Sequence, residues 1–202
     1  MTRVLLASRN AKKLGELRRI LEAENVRGVE IIGLDEVPPF EEAPETGATF
    51  EENALAKARD AVAATGLPTI ADDSGIAVDA LNGMPGVLSA RWAGGHGDDA
   101  ANTALVLAQL SDTPDERRGG GFVCAAALVL PTGEEHVVRG EWRGVLARKP
   151  SGTNGFGYDP IFVPAGGDRT SAEMDPAEKD AASHRGLAMR ALLPHLRELA
   201  GQ

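Results

Sequence analysis

"IADDSG", residues 70–75, follows the short run Leu67, Pro68, Thr69 and sets two carboxylates, Asp72 and Asp73, side by side before a Ser and a Gly. Two neighbouring negative charges repel, so an ordinary strand end has little use for them. A cation gives them one. Hard oxygen ligands suit Mg²⁺, and a carboxylate beside a metal also orients or deprotonates a water. The pair reads as the end of a strand, where α/β sheets hold their ligands, and Gly75 to Leu81 continues as an extended or strand segment. Capping of a turn by the Asp side chains would use the same residues without a metal. The sequence leaves both open.

Working outward, the pattern alternates strands and helices. Arg3 to Ala7 reads as a buried strand, and Leu14, Leu17 and Leu21 follow at helical spacing behind the N-cap candidate Asn10. Val29 to Leu34 is a second strand, and the polar loop VPPFEEAPETG comes after it. Thr49 opens a helix with a capping box, Glu52 standing three residues on, and the helix stops at Gly66. Asp98 to Leu110 is a helix, while Phe122 to Leu130 and Glu135 to Arg148, split by PTGE, form a long hairpin. Asp175 with Pro176 starts a further helix. The last one carries Leu187, Leu192, Leu196 and Leu199 and contains Pro194. This predicts an α/β fold with a mixed sheet and flanking helices, in one domain over residues 1–202 or two tightly joined lobes.

With 202 residues, 43% of them hydrophobic, the chain can bury a sizeable core. A formal charge of -9 argues against nucleic-acid or acidic-membrane partners, which need a basic surface. An anionic ligand must therefore be held by local cations. Cys124 is the single cysteine, so neither a disulfide framework nor a cysteine zinc site is available, and a reducing cytoplasm is the simple reading. The apolar N-terminal stretch is too short for a signal peptide, and no run approaches the length of a spanning helix.

Further motifs carry chemistry beside bland alternatives. SRNAKK, residues 8–13, joins a strand to a helix start, where backbone N–H groups favour an anion; Ser8, Asn10 and Lys13 then meet phosphate oxygens, or form a plain cap with solvated lysines. Asn53 and Lys57 share a helix face and form a second pair of phosphate ligands, or a solvent side. Glu45 sits in an acidic loop. The loop NGFGYDP, residues 154–160, offers Phe156 and Tyr158 on glycines for stacking on a base, with Asp159 as an acceptor; alternatively the Phe tucks into the core. His184 and Arg185 lie in a first helical turn, where cations oppose the dipole and need another reason to be. Neither G-x-x-x-x-G-K-[ST] nor G-x-G-x-x-G occurs, and the D-x-D of a haloacid-type phosphatase is missing.

SRNAKK, ETGATFEENALAKA, IADDSGIAVDALNGMPGVLSARW, GTNGFGYDPIF and EKDAASHRG stand in the order and spacing of the inosine triphosphate pyrophosphatase family, which the chain resembles from Val4 to the last helix. The resemblance implies two α/β lobes around a central cleft, a homodimer, and Mg²⁺-dependent hydrolysis of non-standard purine nucleoside triphosphates (dITP, ITP, XTP) to the monophosphate and pyrophosphate. By motif, Ser8, Asn10, Lys13, Asn53 and Lys57 match triphosphate ligands. Glu45 and Asp73 match the metal and water site, with Asp73 as general base and Asp72 assisting the metal shell. Ser74 would contact substrate, Phe156 would stack on the purine within the loop that includes Gly157 and Tyr158, Asp159 and Lys179 would face the nucleoside, and His184 with Arg185 would reach its 6-oxo edge. A binding or sensing module without turnover, or a phosphohydrolase of other nucleotides, is the alternative. The family usually has Gly where this chain has Arg9, which is strained if that position has positive φ and otherwise adds a phosphate or surface contact.

Overall fold

The computed structural model describes residues 1–42 and 44–201. Its strands are β1 (Thr2–Leu6), β2 (Val29–Ile32), β3 (Thr69–Val78), β4 (Gly119–Val129), β5 (Glu135–Leu146) and β6 (Phe162–Pro164). They form one sheet in the order β2-β1-β3-β4-β5-β6. β1 pairs in parallel with β2 and with β3, whereas β5 and β6 are antiparallel, so the sheet is mixed as expected. The helices are α1 (Ala11–Ala23), α2 (Phe50–Thr65), α3 (Asp99–Gln109), α4 (Pro176–Ala182) and α5 (His184–Leu199).

Local chemistry sets the helix ends. The Asn10 side chain accepts from the Lys12 N–H at the start of α1. At α2 the Thr49 hydroxyl accepts from the Glu52 N–H, and the Glu52 carboxylate accepts from the Thr49 N–H, which completes the capping box. Gly66 closes α2 at φ 69°, a left-handed conformation that glycine adopts without a Cβ penalty.

The backbone divides into two compact units. The first holds Met1–Asp73, Cys124–Gly140 and Arg185–Gln202, and the second Ser74–Val123 and Glu141–His184. The first unit's core joins Val4, Leu6, Ile70, Cys124, Ala126 and Leu128 on strands to Leu17, Ile20 and Leu21 of α1 and to Ala188, Met189, Leu192, Leu193 and Leu196 of α5. Those strand positions alternate, as they must when one face of the pleat is covered. Leu187, expected among the apolar positions of α5, is 43% exposed. In the second unit, Phe122, Trp142, Tyr158, Ile161 and Phe162 gather with Ile76, Val78, Val106 and Leu110. Phe162 is the hub, edge-on to Phe122 at 4.8 Å and to Trp142 at 5.2 Å between centroids.

Asp72 and Asp73, expected at a strand end, lie inside β3, which continues without a break to Val78. What ends there is β1, whose register with β3 stops at Leu6 opposite Ile70. The carboxylates thus still lie just beyond the carboxyl edge of a parallel pair. Among the described residues no helix is long and apolar enough to cross a membrane.

Candidate active site

In an extended strand, successive side chains point to opposite faces. Asp72 therefore shares the face of Ile70 toward α1 and α5, and Asp73 takes the other, toward α2. Adjacent in sequence, the two carboxylates enter different surroundings.

Asp72 has a fully buried side chain. Its Oδ2 accepts from Lys13 Nζ at 2.8 Å and from Arg185 Nε at 3.3 Å, and Cys124 Sγ lies 3.9 Å away. Arg185 in turn donates to Glu16 Oε2 at 2.7 Å. Burial alone raises the carboxyl's pKa; the charges of Lys13, Arg185 and Lys57 outweigh it and hold Asp72 well below the usual carboxylate range. Asp72 was expected in a metal shell, but its contacts are those of an internal counter-ion. Arg185 likewise points into this network and is 3% exposed.

Asp73 keeps some access to solvent, with a side chain 10% exposed. Its Oδ2 accepts from Asn53 Nδ2 at 2.9 Å, and Lys57 Nζ stands 3.7 Å from Oδ1. Burial pushes its pKa up and the Glu45 charge adds to this, against the opposing pull of Lys57 and the Asn53 hydrogen bond. The Lys57 ammonium also donates to Glu45 Oε1 at 2.8 Å and to the Asp72 carbonyl at 2.7 Å. Burial draws the Lys57 value down, but Asp73, Asp72 and Glu45 together raise it, so the ammonium stays charged. Asn53 spends both ends of its amide, since Oδ1 accepts from the Gly47 N–H at 2.8 Å. α2 thus ties the acidic loop to β3. Expected as phosphate ligands, Asn53 and Lys57 make contacts here that hold Asp73 and Glu45 in place.

The phosphate-loop candidates adjoin. Ser8 Oγ accepts from the Asn10 N–H at 3.2 Å, and Asn10 Oδ1 is engaged as the cap of α1, which leaves its amide nitrogen as the donor for a ligand. The only non-glycine residues described at positive φ are Asn25 and Asn82, so the backbone at Arg9 carries no strain. Its guanidinium donates to Glu42 at 2.7 Å.

Do these donors fit a divalent ion? Among the described residues no group of three or more His, Cys, Asp or Glu is arranged to hold a metal. Mg²⁺ asks for less: it is usually held by one or two carboxylates plus substrate phosphates and water. Glu45 and Asp73, gathered on one ammonium and both partly open to solvent, fit that donor set.

In the second unit a separate cluster surrounds the aromatic loop. Asp159, 1% exposed, accepts from Ser171 Oγ on Oδ1, and from the Phe156 N–H and Lys179 Nζ on Oδ2. Gly155 has φ 75°, and a Cβ there would collide with the Asp159 carboxylate. The Gly157 N–H donates to Asp99 Oδ2 at 2.7 Å. These contacts fix Phe156, half-buried, with the Lys179 ammonium 5.4 Å from its ring centroid. Tyr158, expected on the loop surface, is in the core instead, its hydroxyl donating to the Ser89 carbonyl at 2.7 Å. Burial, with the Asp99 charge, pushes its pKa up. His184, 5% exposed, stacks on Phe122 at 4.7 Å and 12° between rings. Ser74, half-buried, begins this unit.

Glu16, Asp99, Ser171 and Phe122 were missed from sequence. Glu16 carried a signal, because it lies three residues after Lys13 and beside Leu17 on the buried side of α1. Asp99 and Ser171 carried none: each meets its partner only through the tertiary fold.

Residues 4–195 match the Ham1 family, and the chain belongs to that family. It is 74% identical over 200 residues to a dITP/XTP pyrophosphatase of Nocardia farcinica, covering 99% of this chain and 97% of that protein. Identity to the dITP/XTP pyrophosphatase of Mycobacterium tuberculosis H37Rv is 64% over 200 residues, covering 99% and 98%. Among solved structures, a HAM1 protein of Coxiella burnetii superposes with TM-score 0.86 at 44% identity, covering 98% of this chain and all of that one. A nucleoside-triphosphatase (dITP/XTP pyrophosphatase) of Mycobacterium abscessus gives TM-score 0.78 at 68% identity, covering 96% and 100%.

The Asp72 network gives a stability prediction. Asp72→Asn leaves Lys13 and Arg185 without their shared charge and is expected to cost about 3–5 kcal/mol near neutral pH. A carboxyl with depressed pKa stabilises the fold above its unfolded value of about 3.9, and that contribution fades as pH falls below it. Denaturant unfolding of both proteins from pH 7 to pH 3 should therefore show the gap narrowing toward acid. A small gap independent of pH would contradict the assigned role.

Proposed function

We propose that this protein hydrolyses purine nucleoside triphosphates of the dITP, ITP and XTP class to the monophosphate and pyrophosphate. The observation that carries this reading is Asp73, a carboxylate of raised pKa held by Asn53 and flanked by Lys57 and Glu45. The relatives named dITP/XTP pyrophosphatase set the substrate class.

A triphosphate brings about four negative charges, so water can attack phosphorus only where charge is neutralised and the nucleophile is positioned. Lys13 supplies cationic donors; one of its three is engaged by Asp72 and fixes the direction of the rest. Ser8 and the Asn10 amide add neutral ones. Glu45 and Asp73 would hold Mg²⁺, which when bound neutralises phosphate charge and acidifies a nearby water. Asp73 accepts the water proton as the new oxygen–phosphorus bond forms at the α-phosphorus and the bond to the bridging oxygen breaks, releasing pyrophosphate. Burial makes Asp73 a stronger base than a solvated carboxylate. Asp72 acts through Lys13 and Arg185, and Asn53 and Lys57 act by holding Asp73 and Glu45.

For the base, Phe156 supplies a stacking face, Lys179 a cation beside it, and His184 a donor to a 6-oxo group. An amino group at that position would leave such a donor unpaired. Gly157 and Asp159 act as the frame of Phe156, and Tyr158 as its anchor in the core. Action as a homodimer in the cytoplasm belongs to the same proposal.

Incubation with ITP and Mg²⁺ should yield IMP and pyrophosphate. IDP with orthophosphate would overturn the reaction class, and nucleotide binding without products would favour a sensor. Asp73→Asn should lower kcat by a factor of 10² or more while nucleotide affinity, followed by calorimetry, changes little. A near-normal rate would show that another group activates the water.

A further inference from the structure

Beside the phosphate loop lies a cavity of about 420 Å³, lined by Ser8, Arg9, Leu14, Asp35, Phe40 and Glu42 among others. Its one cation is Arg9, whose guanidinium is engaged by Glu42 at 2.7 Å. Both partners are accessible, Arg9 at 78% and Glu42 at 33% of the side chain. An exposed pair of this kind favours its closed state by a factor of about five at most. A guanidinium offered a phosphoryl group gains a bidentate match to several charged oxygens, a better partner than one carboxylate.

Resting on the reading of this unit as a polyphosphate site, we propose that Arg9 is a specificity residue for the distal phosphoryl group of the substrate, with Glu42 as its resting counter-ion. With the α-phosphorus at Asp73 as proposed above, and with Ser8 shared between the phosphate loop and this cavity, a polyphosphate tail running past Ser8 ends beside Arg9. A nucleoside diphosphate, anchored by its base and α-phosphorus, is too short to collect the contact. Glu42 keeps the cation from taking stray anions, and departs when a triphosphate replaces it. Arg9, whose backbone is unstrained, thus gains a use.

The two single variants separate this from a mere surface latch. Loss of a latch has one outcome whichever partner is removed. Competition has two: Arg9→Ala should raise KM for ITP about five- to tenfold with kcat within about twofold, whereas Glu42→Ala should lower KM, and the double variant should follow Arg9→Ala. Calorimetry with inorganic tripolyphosphate and with IDP, in the intact protein with Mg²⁺, gives a readout apart from turnover. Arg9→Ala should weaken tripolyphosphate about five- to tenfold and leave IDP unchanged. Shifts of the same sign in both single variants, equal losses for both ligands, or no shift would overturn the proposal. If wild-type protein fails to turn over ITP, the parent reading falls, and the tripolyphosphate titration still decides the role of Arg9.

Discussion

The two-residue period of β3 is the constraint on which the site depends. Because neighbouring side chains leave a strand on opposite faces, the chain can carry two carboxylates in succession and give each its own partners. Asp72 enters a closed network of Lys13, Arg185 and, through Arg185, Glu16. Asp73 meets an amide and a single ammonium, and keeps a path to solvent. Burial raises both carboxyls; two close cations reverse the sign for one and not for the other. The acid–base difference a hydrolase needs thus arises from backbone geometry and the placing of three cations.

α2 makes the arrangement durable. Ala54, Ala58 and Ala61 are buried without remainder, so the helix approaches closely and brings Asn53 and Lys57 within reach of β3. Lys57 joins Glu45 from a polar loop to the Asp72 backbone and the Asp73 carboxylate, offsetting repulsion that would otherwise part them. The aromatic loop of the second unit follows the same logic: backbone N–H groups of Phe156 and Gly157 are tied to the carboxylates of Asp159 and Asp99. In both places, residues that look like ligands from sequence also hold other residues in position.

Much of this was legible beforehand. Helix starts at Asn10, Thr49, Asp98 and Asp175 follow from cap chemistry, which is local, and the mixed α/β class follows from alternating periodicities. The charged residues of IADDSG read as an exit from the core, and it is the cations of α1, α2 and α5 that make them tolerable inside it. The glycines around Tyr158 point to the surface, yet its hydroxyl finds the Ser89 carbonyl and its ring joins Phe122 and Phe162. Which partner each motif residue takes was not legible, since that depends on hydrogen bonds such as Asn53 to Asp73 that join distant segments.

The division of labour between the adjacent aspartates can be measured directly. Carboxyl carbon resonances of Asp72 and Asp73, followed by NMR against pH in the metal-free protein, should separate: Asp73 should titrate above the ordinary aspartate range, and Asp72 should remain ionised well below it. Two curves that coincide would contradict the account.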